Sequence, residues 1–116
     1  MTDPALARRW IDDRRRAVRE RLTDVEARLT SVRTARGDWT DEEHDPEGFT
    51  LTFEWQQAEG ARSQHLAELG ELDRAETRVA AGQFGVCTSC AQPIPATQLE
   101  LRPARTTCVA CADRRG

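Results

Sequence analysis

The chain has 116 residues, 38% hydrophobic and 32% charged, with three Trp, three Phe and no Tyr; this is one domain's length and leaves little for a deep aromatic core. Its formal net charge of −3 comes from 17 basic residues, all of them Arg, and 20 acids, which excludes a protein that grips nucleic acid through bulk positive charge. No run approaches the roughly 18 apolar residues of a membrane span, and Arg8 and Arg9 follow the start without an apolar leader segment, so a cytoplasmic location is expected.

Asp3-Pro4 reads as a helix start, with a carboxylate able to accept from the first free N–H groups and a Pro where its missing donor costs nothing. From there to about Arg36 no Gly or Pro intervenes. Ile11, Val18, Val25 and Val32 recur every seven residues, with Leu22 and Leu29 at the alternate position, which makes one apolar seam. A second stretch runs from about Phe49 to Ala81, where Leu51, Ala58, His65, Leu72 and Val79 repeat the spacing and Trp55 and Leu69 fill part of the alternate position. Gly82 is placed to end it, and Gly60 and Gly70 are positions where it could bend.

One seam on each helix calls for one partner, and the short connection 37–48 is rich in turn formers. The expected architecture is mainly α: an antiparallel coiled-coil hairpin over residues 1–81, monomeric because each helix finds its partner within the chain. Charge favours the same pairing. Residues 1–36 carry ten Arg against six acids, and residues 37–81 carry three Arg against twelve acids. Folding back sets Arg14, Arg15, Arg16 and Arg19 near Glu68, Glu71, Asp73 and Glu76, and Asp12–Arg16 and Asp24–Arg28 have the favourable i,i+4 order.

Six acids fall within residues 38–47 at the hairpin tip, among them Asp41, Glu42, Glu43, Asp45 and Glu47. They read either as a soluble, helix-capping loop or as a surface that meets a positive partner or a divalent cation. His44 is expected to be solvated and His65 packed in the seam.

Residues 82–116 form a separate four-cysteine finger. Cys87-Thr-Ser-Cys90 and Cys108-Val-Ala-Cys111 are 17 residues apart, the spacing of a structural zinc site. Four thiolates complete a tetrahedral shell around one Zn2+ and leave no position for a reactive water. The metal would compensate for a sparse core of Phe84, Val86, Ile94, Leu99, Leu101 and Val109, and Pro93, Pro95 and Pro103 point to a loop-rich finger. Only Arg102 and Arg105 are basic between the pairs, too few for a DNA-reading helix. No Ser/His/Asp set, carboxylate pair or phosphate-cradling Gly loop supports an enzyme.

The segments Gly82-Gln-Phe-Gly-Val-Cys-Thr-Ser-Cys90, Ile94-Pro-Ala-Thr-Gln-Leu99-Glu-Leu-Arg-Pro103 and Cys108-Val-Ala-Cys111 resemble the finger of the DksA/TraR-type four-cysteine zinc-finger proteins of bacteria. The hairpin extends the likeness over the rest of the chain. What the resemblance implies is a transcription regulator that binds RNA polymerase directly, its hairpin in the secondary channel and its acidic tip near the catalytic magnesium. This sequence departs from the family in places. Glu42, Asp45 and Glu47 stand where well-studied members carry two Asp and an Ala; Gln64, Glu68 and Glu71 occupy a region that is basic in members acting with ppGpp; and Ala91 replaces a Gly. The same features also suit a zinc-stapled coiled-coil adaptor for another protein partner.

Overall fold

The computed structural model describes residues 2–37 and 46–115. Asp3 begins the first helix as its chemistry dictates: its Oδ1 accepts from the Ala5 N–H at 3.4 Å and its carbonyl from the Ala7 N–H at 2.9 Å. Helix α1 then runs unbroken for 34 residues, Pro4–Gly37. Helix α2 spans 35 residues, Pro46–Ala80, and starts earlier than the expected Phe49 because Pro46, with its fixed φ and missing donor, suits a first helical position. It passes through Gly60 and Gly70 without interruption. At its end Gly82 takes φ +71°, and the N–H groups of Gly82 and Gln83 reach the Val79 and Arg78 carbonyls at 3.1 and 2.8 Å. This paired closure satisfies carbonyls that the helix leaves open and needs a residue at ease with positive φ.

The chain divides into two compact units. Residues 18–67 form one. Here Glu26 Oε1 meets Arg62 Nε at 3.7 Å, and the Arg33 guanidinium lies 5.5 Å from the centre of the Trp55 ring. The partner number falls as the α1 number rises, so the helices are antiparallel. Val18, Leu29, Val32 and Ala58 are buried, whereas Leu22, Val25, Leu51, Trp55 and His65 are half-buried. Two helices alone cover only one side of a seam residue, and Phe53 and Leu66 are left exposed.

Residues 1–17 and 68–116 form the other unit. Ala7 and Ile11 of α1 and Leu72, Ala75 and Val79 of α2 are buried in it together with Phe84, Ile94 and Leu99 of the finger. The finger thus adds a third layer, in which Ile11, Leu72 and Leu99 are among the largest fully enclosed side chains, each worth about 1.5–3 kcal/mol relative to exposure.

Charge lines the same seam. Arg14 grips Glu68 with two parallel bonds, Nε–Oε2 at 2.5 Å and Nη2–Oε1 at 2.9 Å. Arg15 gathers Asp12 (3.0 Å), Asp73 (3.0 Å) and Glu76 (2.7 Å). The expected Asp12–Arg16 pair gives way to this cluster: Asp12 turns to Arg15, three residues on, and Arg16 leans toward Asp13 at 3.8 Å. Arg19 and Glu71 enter no ion pair among the described residues.

The finger has more regular structure than its prolines imply. Helix α3, Ala96–Leu101, follows Pro95, whose carbonyl accepts from the Gln98 and Leu99 N–H groups at 3.0 and 3.2 Å. Helix α4 spans Val109–Arg115, and Val86 and Pro93 form one antiparallel bridge. Among the described residues there is no extended strand.

Candidate metal centre

The first cysteine pair lies in a tight turn. The Cys87 N–H binds the Gln92 carbonyl and the Ala91 N–H binds the Cys87 carbonyl, both at 2.9 Å. To close this loop Ala91 adopts φ +62°, a left-handed conformation in which a Cβ is crowded. Just before it, Gly85 takes φ +82°, and a Cβ there would stand 3.3 Å from Leu99 Cδ1. Glycine is thus required where the chain enters the Val86 bridge ahead of Cys87.

The second pair opens α4. The Ala112 N–H bonds to the Cys108 carbonyl at 2.9 Å, so Cys108 and Cys111 sit one helical turn apart on one face. Gln98 of α3 caps this start, its Oε1 accepting the Val109 N–H at 3.1 Å. The two halves are joined by the Thr88 N–H on the Thr106 carbonyl at 2.9 Å.

These turns bring the sulfurs of Cys87, Cys90, Cys108 and Cys111 within 4.8 Å of one another, with Cys90 and Cys108 Sγ 4.0 Å apart. All four cysteines are free. The separations are about twice a disulfide bond and close to the edge of a tetrahedron of four thiolates around Zn2+, roughly 3.8 Å for bonds of about 2.3 Å. Cys87 and Cys111 are buried, Cys108 is half-buried and Cys90 exposed.

Hydrogen bonding prepares the inner sulfur. Cys87 Sγ accepts from the backbone N–H groups of Cys108 at 3.4 Å and Cys90 at 3.5 Å, and these donors, Cys108 first, pull its pKa down to about 6. Cys111 moves the other way. Its hydrogen bond with Cys108, followed by burial, pushes its pKa up to about 12, because its thiol proton is shared among neighbouring sulfurs. The backbone donors therefore favour a thiolate at Cys87, the form in which a cysteine ligates a cation. Among the described residues it is the one group of three or more metal-ligating side chains brought together.

Of the acidic tip, Asp41, Glu42, Glu43 and Asp45 lie outside the described residues, and Glu47 belongs to the first turn of α2. Gln98, Arg78 and Arg105, which hold the finger together, carry no motif spacing that marks them in the sequence. No helix among the described residues is long and apolar enough to cross a membrane.

No protein-family model matches the sequence, and no curated protein matches it. A solved structure does: the transcription factor DksA2 from Pseudomonas aeruginosa superimposes with a TM-score of 0.73 over 97% of this chain and 81% of that one, at 21% sequence identity. The resemblance first carried by the finger motifs thus extends along the helices, and the chain has a DksA-like fold.

Proposed function

We propose that this protein is a cytoplasmic, monomeric transcription regulator of the DksA/TraR type, holding one structural Zn2+ on Cys87, Cys90, Cys108 and Cys111 and binding RNA polymerase directly. The observation that carries the reading is the combination of a DksA-like fold over 97% of the chain with four sulfurs at tetrahedral spacing. Bound zinc would offset half of the thiolate charge and lock the two knuckles together. The residues around it fix geometry: Gln98 caps α4, and Thr88 ties the first knuckle to the second.

In this reading the helices and finger bind polymerase and the hairpin occupies its secondary channel, with Asp41, Glu42, Glu43, Asp45 and Glu47 approaching the active site. Binding and regulation are then separable. The test is in vitro transcription with the cognate polymerase, alongside co-sedimentation, for the parent and for a Glu42→Gln, Asp45→Asn double variant. The expected result is a change in initiation by the parent, lost in the variant while polymerase binding persists. A parent that neither binds polymerase nor alters initiation refutes the proposal and favours the adaptor reading. A variant as active as the parent removes the tip from the mechanism.

A further inference from the structure

The approach to the second cysteine pair, residues 102–107, has no regular structure, yet its backbone is held at four carbonyls. The Arg105 N–H binds the Arg102 carbonyl at 3.0 Å, and the Thr88 N–H binds that of Thr106 at 2.9 Å. Side chains take the other two: Arg78 Nη2 donates to Ala104 at 3.3 Å, and Arg105 Nη1 donates to Thr107 at 3.0 Å. Pro103 is fully enclosed at the head of the same loop. Arg105 therefore curls over its own loop and fastens the residue immediately before Cys108.

The rest of that guanidinium is unusual. Its Nε is buried and has no hydrogen-bond partner among the described residues, and Arg105 forms no salt bridge there. An arginine stays charged under all ordinary conditions, and this half-buried one has its Nε shut away from water with no carboxylate paired to the group. Four thiolates around one divalent ion carry a formal charge of −2, and that charge would sit beside the loop Arg105 holds.

We infer that Arg105 is a positioning residue of the metal centre, which presents Cys108 through the Thr107 carbonyl and places a permanent positive charge beside the tetrathiolate. The inference rests on the zinc reading above. Arg78 supports the same loop from α2, but its bond is longer and lands further from the cysteine, so its effect on the metal is the smaller.

The experiment uses the full chain loaded with zinc. Metal content of the parent is measured first, and a parent without one zinc per chain fails the zinc reading itself. Zinc loss to a chromophoric chelator is then timed for the parent, Arg105→Met, Arg105→Lys and Val79→Ala, the last a core truncation in the same unit that removes none of the loop's hydrogen bonds. Loss of outer-shell partners typically weakens metal sites by about 10- to 100-fold. Arg105→Met is expected to surrender zinc about tenfold faster, and Arg105→Lys, which keeps the charge and one donor, at an intermediate rate. The Co2+-substituted proteins should keep a tetrahedral four-sulfur spectrum, with bands displaced in Arg105→Met and restored toward the parent in Arg105→Lys. Release from Arg105→Met at the parental rate overturns the inference. It is equally overturned if Lys rescues nothing, or if Val79→Ala accelerates release as much as Arg105→Met does.

Discussion

Ala91→Gly is expected to stabilise the finger. Ala91 is held at φ +62° by the bond from its N–H to the Cys87 carbonyl, 2.9 Å long, and a left-handed L-residue costs about 1–2 kcal/mol through contact between its Cβ and the following carbonyl. Glycine abolishes that contact, keeps the hydrogen bond and loses about 0.5–1 kcal/mol more conformational entropy than Ala on ordering. The balance is a net gain of about 0.5–1 kcal/mol. Because a zinc finger folds on its metal, the gain should appear as zinc binding tightened roughly two- to fivefold, read by competition against a chelator of known affinity at fixed pH. Ala91→Val, with a branched Cβ in the same crowded region, should bind more weakly than the parent. Equal affinities for all three proteins would refute the reasoning, since the left-handed turn would then carry no strain that the metal has to overcome.

Gly60→Ala should raise stability by about 1 kcal/mol, because Gly60 is exposed within α2 and an added Cβ would meet nothing within 4 Å; thermal unfolding followed at 222 nm, the usual helix wavelength, reports it as a higher midpoint. Arg15→Met should lower stability by about 1 kcal/mol or more, the range of a networked ion cluster. Only 12% of the Arg15 side chain is exposed and three carboxylates converge on it. The deficit should shrink in high salt, where the parent's charges are screened. Stripping the metal with a chelator at neutral pH should unfold the finger, seen as lost amide-exchange protection at Leu99 and Ala112, whose N–H groups bond to the Pro95 and Cys108 carbonyls; retained protection would contradict a metal-dependent fold.

The seven-residue repeat was sufficient to locate the seam, and Ile11, Val18, Leu29, Val32, Ala58, Leu72 and Val79 are all buried. It could not grade them. Val25, Leu51 and His65 share the repeat yet are half-buried, while Val18, Leu29, Val32 and Ala58 of the same unit are buried, because depth depends on how side chains of the facing helix close over each position, which periodicity within one helix does not encode. Ala7 and Ala75 were invisible for a related reason: they are enclosed beside the finger, and Ala is equally common on exposed helix faces. The clustering of the four cysteines was legible because two CxxC pairs at this spacing can turn all their sulfurs toward one point. Their supports were not, since Gln98, Arg78 and Arg105 act on backbone groups, and any loop of suitable shape can offer a carbonyl or N–H without a residue-type signature. Of the paired charges, Arg14 and Arg15 met their partners across the seam, while Asp12 found Arg15 rather than Arg16, a choice made by the convergence of Asp73 and Glu76 from α2.

The division of the chain also orders events during its synthesis. Residues 18–67 are contiguous and can pair as soon as they leave the ribosome, but the other unit joins residues 1–17 to residues 68–116 and must wait for the last cysteine. At about 5–20 residues per second the interval between Ala67 and Cys111 lasts several seconds. Throughout it Ala7 and Ile11, fully covered in the finished protein, lack Phe84 and Leu99 above them. In the zinc reading proposed above, a nascent chain exposes this short apolar strip until metal capture completes the cover, and zinc supply to the growing polypeptide sets how long the strip stays open to chaperones and proteases.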